Sequence, residues 1–485
     1  MKRPLASQRF FRFAAYFVAL LLFFFNSPQI PTADAASSRF HEEPVSIQSQ
    51  DLKLAGTLLV PDTPGQHPAV VMVHGSSSSD REKYRGEAEM FAKSGIAALI
   101  YDKRPDGFSK SRGGDRSYQI LSEDVVAAVQ ALRSRADIAP SAVGLWGISE
   151  GAWVASLAAS EPNSHVAFLI TVGAAGVQPV QQQSWQLVNR LHDQGVTSAS
   201  MIRSVTRHGL QLAVSAGLFA EATYDPLPAF SSLQQPVLAI WGDKDRVEPA
   251  LESSRNIQHA LEQAGNKHAV IRFFPDAGHL LRLSLDGTTQ TDEFAPGYSE
   301  AMTSWVHQVV QGNAPRSSVI GAAPQQEHLS PAGIGQLSWY HSAWVQLGAA
   351  LLLLAIFGTF LLGSLVRALR KRGSKQPNDR RSGYSLLLAG STTVATFGFL
   401  AYFGFLMSSG AKHLDPLLFD RTLIWGLLQL SSFIALAAAV LLGCSLWRSL
   451  VTDRSPVGRE KERIWLMIGG ILFVPWALYW QLLIP

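Results

Sequence analysis

The fold class predicted by this 485-residue sequence is an α/β domain on a mostly parallel sheet, followed by an all-α membrane bundle. Three observations predict it. Short β-branched or apolar runs alternate with helix-period patterns through 40–312. Four apolar segments of about 20 residues close the chain. Only 16% of residues are charged, and the mean hydropathy is +0.11, against about 25% charged in ordinary soluble domains.

Taken in order, residues 1–12 are basic (Lys2, Arg3, Arg9, Arg12), and 13–25 are almost wholly apolar. Pro28, Pro31 and the small-residue stretch Ala33-Asp34-Ala35-Ala36 follow. This is the layout of a secretory signal over 1–35, with an uncleaved N-terminal anchor as the rival; both send residue 40 onward across the membrane. Strand-like runs then lie at 52–60, 69–73, 96–101, 143–147, 166–173, 236–241 and 269–274. Helical patterns fall between them at 82–94, 118–134, 150–160, 250–264 and 297–311. Such alternation implies crossovers that cover both faces of a parallel sheet. Residues 177–232 break the alternation, being Gln-rich, then helix-like, then Pro-rich, and read as a small helical cap. Residues 313–342, rich in Gly, Pro, Ser and Gln, read as a linker. Membrane spans are expected at 343–366, 384–407, 422–447 and 464–484, with Trp and Tyr near their ends. The loops 367–383 and 448–463 are basic, and 408–421 is balanced. The positive-inside rule then puts both basic loops in the cytoplasm and 36–312 on the extracytoplasmic side of a multi-pass protein of the cell membrane.

Charge and cysteine content exclude whole classes. The net charge of +4 comes from the N-terminus and the two basic loops, and the rest of the chain is acidic, so no basic face exists to bind nucleic acid. A single cysteine, Cys444, forbids an intrachain disulfide and a zinc finger. The spans carry no ionisable side chain, which argues against an ion or proton path.

The chemistry gathers at strand ends. G-I-S-E-G at 147–151 follows a strand-like run and opens a helix-like one. G-x-S-x-G in that setting is a strained turn that projects the serine hydroxyl, flanked by glycines because backbone passes too close for side chains. A serine needs a base to take its proton, and the base needs an acid to hold its tautomer. After Ser149, strand 236–241 ends in G-D-K-D-R-V at 242–247, offering Asp245 ahead of Asp243. Strand 269–274 ends in P-D-A-G-H at 275–279, offering His279. Asp276, Asp243 and the trio Asp80-Arg81-Glu82 also fit solvated turns or helix caps, and Trp146 and Trp153 fit core packing.

V-M-V-H-G-S at 71–76, Y-D-K-R-P-D-G-F-S at 101–109, G-I-S-E-G at 147–151, Y-D-P-L-P at 224–228, P-V-L-A-I-W-G-D-K-D at 236–245 and F-P-D-A-G-H at 274–279 come in a telling order. On these, 50–312 resembles an α/β-hydrolase of the esterase and serine aminopeptidase-like branch, related to dienelactone hydrolases; the resemblance does not reach 313–485. It implies Ser149 as nucleophile, Asp245 as acid, His279 as base, and the amides of Ser76 and Glu150 as oxyanion hole. Two departures touch the pocket: serines follow H-G where relatives carry glycines, and Pro105 stands in a glycine position. Dienelactone hydrolases use a cysteine nucleophile, and this chain has Ser149.

The sequence therefore predicts a membrane-tethered serine hydrolase acting on an ester or thioester through an acyl-enzyme, with no metal or organic cofactor. Its expected partners are a small or lipid-like ester and the membrane. The alternatives are a serine aminopeptidase, or a non-catalytic receptor or assembly protein that keeps a hydrolase domain; four spans exceed what anchoring needs.

Overall fold

The computed structural model describes residues 39–76, 80–104, 117–219, 221–370, 380–453 and 455–484. The expected export signal, most of the first basic loop, Ser77 to Ser79 and the Pro105 turn lie outside the described residues.

The α/β region holds nine strands: β1 Phe40–Ser49, β2 Leu52–Pro61, β3 His67–Val73, β4 Ala97–Tyr101, β5 Ile138–Ile148, β6 Leu169–Val172, β7 Val237–Gly242, β8 Ala269–Phe274 and β9 Ser318–Ile320. They form one sheet in the order β1-β2-β4-β3-β5-β6-β7-β8-β9. The pairs β1–β2 and β2–β4 are antiparallel, and every other neighbouring pair is parallel. In β3, Val71 and Val73 enter one core while Val70 and Met72 enter the other, the two-residue period of a strand buried on both sides. Helices Tyr118–Arg133, Glu150–Ser160 and Ala250–Gln263 cover the first face. Helices Arg85–Lys93 and Tyr298–Val310 cover the second. This is the α/β-hydrolase architecture.

Two strands depart from the sequence reading. β1 carries His41, Glu42, Glu43 and Pro44, which mask its alternation, yet it pairs with β2 along its whole length. β9 arises inside 313–342, the stretch expected as a linker. It is short and exposed, and becomes a strand only because β8 offers an open edge. The rest of that stretch is also held: Ser330 N and Oγ donate to Glu252 at 2.8 and 2.9 Å, and Trp185 Nε1 donates to the His328 carbonyl at 3.1 Å.

Four helices long and apolar enough to cross a membrane follow: Ala343–Arg370, Arg380–Ser409, Leu423–Trp447 and Val457–Tyr479. The last begins within the basic stretch and stops at Tyr479, short of the 484 expected. Arg367, Arg448 and Arg463 mark one end of this bundle. The cap meets the other.

The cap contains helices Pro179–Asp193, Ala199–Arg203 and Gly209–Ser215, with a π-helical turn at Ser204–His208. Its apolar face does not turn back onto the sheet. Val180, Leu187, Leu191, Met201, Val205 and Leu210 share one continuous core with the membrane helices. Polar contacts seal the seam: Gln194 Nε2 donates to the Ala411 carbonyl (2.7 Å), the Thr197 and Ser198 amides donate to the Asp420 carbonyl (2.9 Å each), and Arg190 donates to the Gly410 carbonyl.

Candidate active site

Four strand ends build the site. β3 leads into His74-Gly75-Ser76, β5 into Ser149, β7 into 243–249 and β8 into 275–284, all at the carboxyl edge where parallel sheets gather functional groups.

Ser149 has φ 55 and ψ −125, outside the regions that non-glycine residues favour. The flanking glycines explain how the chain tolerates the turn. A Cβ on Gly147 would lie 2.3 Å from the Gly151 carbonyl oxygen, and one on Gly151 would lie 2.2 Å from that of Val73. The Ser149 amide donates to the Val172 carbonyl at 2.8 Å, tying the elbow to the end of β6. The next residue, Gly173, has φ +54, and a Cβ there would lie 2.8 Å from His279 Cε1. Gly173 thus lets the imidazole settle beside the elbow. Among the described residues, no hydrogen bond joins the Ser149 hydroxyl to His279; such contacts often tighten only when substrate binds.

The acid and base loops are stitched together. A Cβ on Gly242 would lie 2.1 Å from the Ala277 carbonyl oxygen, and the Lys244 amide donates to that oxygen at 2.9 Å. His279 Nδ1 lies 2.8 Å from Asp245 Oδ2, with both side chains buried. The other Asp245 oxygen accepts from the amides of Val247 (2.8 Å) and Glu248 (3.0 Å). Such a carboxylate is held rigid and selects the imidazole tautomer with its proton on Nδ1. Asp243 pairs only loosely with Lys244 at 3.8 Å, and Asp276 is exposed.

Ser76 lies exposed at the rim, and Glu150 opens the helix behind the elbow. A Cβ on Gly75 would lie 3.5 Å from Ser149 Cβ, so the His74-Gly75-Ser76 loop passes directly over Ser149. The Gly75 amide donates to the Tyr84 hydroxyl at 3.2 Å, and burial pushes that phenol up to about 12.

Sequence reasoning missed two groups. Lys103 Nζ donates to Glu150 Oε1 at 2.5 Å and to the Gly75 carbonyl at 3.2 Å, and both charged side chains are about 5% exposed. One ammonium therefore ties the β4 loop, the loop over Ser149 and the residue after it. The signal was available as a lysine in Y-D-K-R and a glutamate in G-I-S-E-G, two charges beside motifs that sit at strand ends. The second is Glu248, whose wholly buried carboxyl is pushed well above its usual range by desolvation and then by Asp245. Of the other candidates, Asp80 accepts from the Glu82 amide as a helix cap, and Arg81 pairs with Asp102. Trp146 and Trp153 are core.

The cap reaches this site. Gln182 Nε2 donates to the Val247 carbonyl at 2.7 Å, and Arg246 pairs with Asp193. Helix Pro179–Asp193 thus holds the acid loop on one side and the membrane helices on the other.

Residues 65–208 match the family model described as serine aminopeptidase, S33. A thiohydrolase of Aspergillus aculeatus is 40% identical over 101 residues, 20% of this chain and 30% of that protein. Esterase EstD of Thermotoga maritima is 25% identical over 270 residues, 52% of this chain and 64% of that protein. The chain spans about a third of the length of the curated relatives that head the comparison. A crystal structure of a dienelactone hydrolase from Anabaena variabilis overlays on 57% of this chain and 99% of its own at 20% identity, with a TM-score of 0.35. The strand order gives the sheet domain an α/β-hydrolase fold, and residues 65–208 are similar to the serine aminopeptidase S33 family of hydrolases.

Proposed function

We propose that this protein is a membrane-tethered serine hydrolase that cleaves an ester or thioester through an acyl-enzyme. The observation that carries the reading is Ser149 on its positive-φ elbow, next to an imidazole already bonded to Asp245. In the reaction, His279 Nε2 takes the Ser149 proton as the hydroxyl oxygen attacks the carbonyl carbon. Asp245 accepts from Nδ1–H throughout and stabilises the imidazolium. The amides of Ser76 and Glu150 bind the oxyanion of the tetrahedral intermediate. The imidazolium then protonates the leaving alcohol or thiol, and water, deprotonated by the same imidazole, releases the acid. Lys103 pairs with Glu150 directly behind the elbow, so the Glu150 carboxylate does not face the developing oxyanion unpaired.

The family match favours a peptidase as the second reading. Against an amine-recognising cap, Asp193 is already paired with Arg246, and Asp225 accepts from the Leu227 amide. The orientation that fits both the basic loops and the cap puts the cap end of the bundle, and Ser149 with it, on the extracytoplasmic side.

The test uses the full chain in detergent, because the cap buries its apolar face on the membrane helices. Wild type and Ser149→Ala meet a fluorophosphonate probe, then p-nitrophenyl esters, thioesters and aminoacyl anilides. Labelling and ester or thioester turnover that vanish in Ser149→Ala are expected. A folded wild type that takes no label overturns the reading, and anilide turnover alone selects the peptidase.

A further inference from the structure

An apolar trough of about 710 Å³ runs between the first and last membrane helices at the end that meets the cap. Its walls include Val345, Ala349 and Leu352 on one helix and Leu472, Pro475 and Leu478 on the other. Leu352, Leu472 and Leu478 are each 42–50% exposed, so the trough opens outward to whatever surrounds the bundle. Helices of this length and composition are surrounded by hydrocarbon. An apolar space far larger than the ~150 Å³ cavity that stays dry and takes up benzene is filled by hydrocarbon rather than water.

The cap end of the trough has the opposite character. Trp339 and Tyr340, both exposed, and Tyr479 line it, as aromatic residues do at a membrane–water boundary. His341 lies 4.3 Å from the Tyr340 ring, and His208 lies 4.5 Å from the Tyr479 ring. His208 ends the π-helical turn of the cap, and such turns favour functional positions. Arg203 and Arg207, one helical turn apart and both exposed, stand within electrostatic reach of His208. Arg207 also acts on His341. Burial first, and then these neighbouring positive charges, push both imidazoles down, His208 to about 4 against an opposing hydrogen bond with Gln211. The buried Tyr479 hydroxyl has no hydrogen-bond partner among the described residues, and the His208 imidazole has the Gln211 side chain beside it as a hydrogen-bonding neighbour.

We propose that this trough binds an anionic phospholipid, with its phosphate among Arg203, Arg207 and His341 and one acyl chain along the walls between Val345 and Leu478. The cationic rim supplies charge complementarity, and the trough supplies a hydrocarbon seat below it. The phosphate oxygens accept from the exposed Arg203 and Arg207 guanidiniums. A lipid in this place bridges the cap to the first and last membrane helices. The site shares no residue with Ser149, Asp245 or His279, so it stands whether or not the hydrolase reading does.

The experiment places the full chain in nanodiscs of phosphatidylcholine with or without phosphatidylglycerol. It reads lipid retention by native mass spectrometry after detergent extraction, and thermal unfolding by tryptophan fluorescence. Wild type should retain phosphatidylglycerol about tenfold over phosphatidylcholine, as expected for one charge-assisted contact set, and should unfold at a higher temperature with it. Arg203→Gln/Arg207→Gln, two exposed positions whose loss leaves the fold intact, should bring retention to parity. Ala349→Phe, which fills the trough, should lower retention of both lipids. Equal retention in wild type, or an unchanged preference in the double variant, overturns the proposal. So does inorganic phosphate that displaces the lipid fully, which would leave an anion site without a chain seat.

Discussion

The sheet domain and the cap spend their apolar residues in different directions. Helices such as Tyr118–Arg133 and Ala250–Gln263 fold back on the sheet that precedes them and bury Leu132 and Ile257 there. The cap helix Pro179–Asp193 turns Leu187 and Leu191 away from the sheet and into the membrane helices, and keeps polar side chains for the acid loop. The sheet is therefore a self-contained core, while the cap is a connector. The difference teaches that the loop of the candidate acid, Asp245, is braced from two sides: by the sheet through Gly242 and Ala277, and by the membrane bundle through Gln182 and Asp193.

The largest expected effect lies wholly on the sheet side. Ser149→Ala and His279→Ala should each lower kcat by about 10⁴-fold or more in an ester assay, with fluorophosphonate labelling lost in the first. Asp245→Asn should cost about 10⁴ by releasing the wrong imidazole tautomer, with KM nearly unchanged. A smaller loss here would mean that Glu248 substitutes for Asp245.

Next comes the pair beneath the elbow. Lys103→Met removes one buried ion-pair partner of Glu150 and should destabilise the sheet domain by about 1–3 kcal/mol in denaturant titration. Lys103→Met/Glu150→Gln should recover much of that stability and part of kcat. Failure of the double variant to recover either would show that Lys103 acts mainly through the Gly75 carbonyl.

The comparison itself is sharpened by two cavities. Leu191→Ala should cost about 2–5 kcal/mol and raise hydrogen exchange in the cap and in the 411–423 loop, leaving helix Ala250–Gln263 protected. Ile257→Ala should do the reverse. Matching exchange patterns for the two variants would break the division into core and connector.

The smallest effect is a pH dependence. Glu248 binds its proton more tightly folded than unfolded, so the stability it contributes is present in full below about pH 4.3 and is lost as pH rises toward its elevated folded value. Glu248→Gln should therefore raise the unfolding temperature at pH 7–8, with the gain vanishing near pH 4. A gain independent of pH would mean that the carboxyl is not the titrating group.

Much of the site was legible because strand, turn and helix signals surround each residue. G-I-S-E-G sits between an apolar run and a helical pattern, and Asp245 and His279 each follow a run of strand residues. β1 was hidden by Glu42, Glu43 and Pro44, whose strand state depends on β2 lying alongside. β9 has no periodicity to read in three residues and exists because the edge of β8 is free. The Lys103–Glu150 pair joins residues 47 positions apart, a separation that no local pattern encodes.

By itself the sequence determined the layer order, the elbow at Ser149, the placing of Asp245 and His279 after later strands, and the four membrane-length helices, because each depends on local periodicity or on backbone space at glycine. Only the tertiary structure decided which face of the cap is buried. An amphipathic helix states that it has an apolar stripe but not what covers it. Here the membrane helices cover it, since their ends, rather than the finished sheet, offer unpaired apolar surface to the cap.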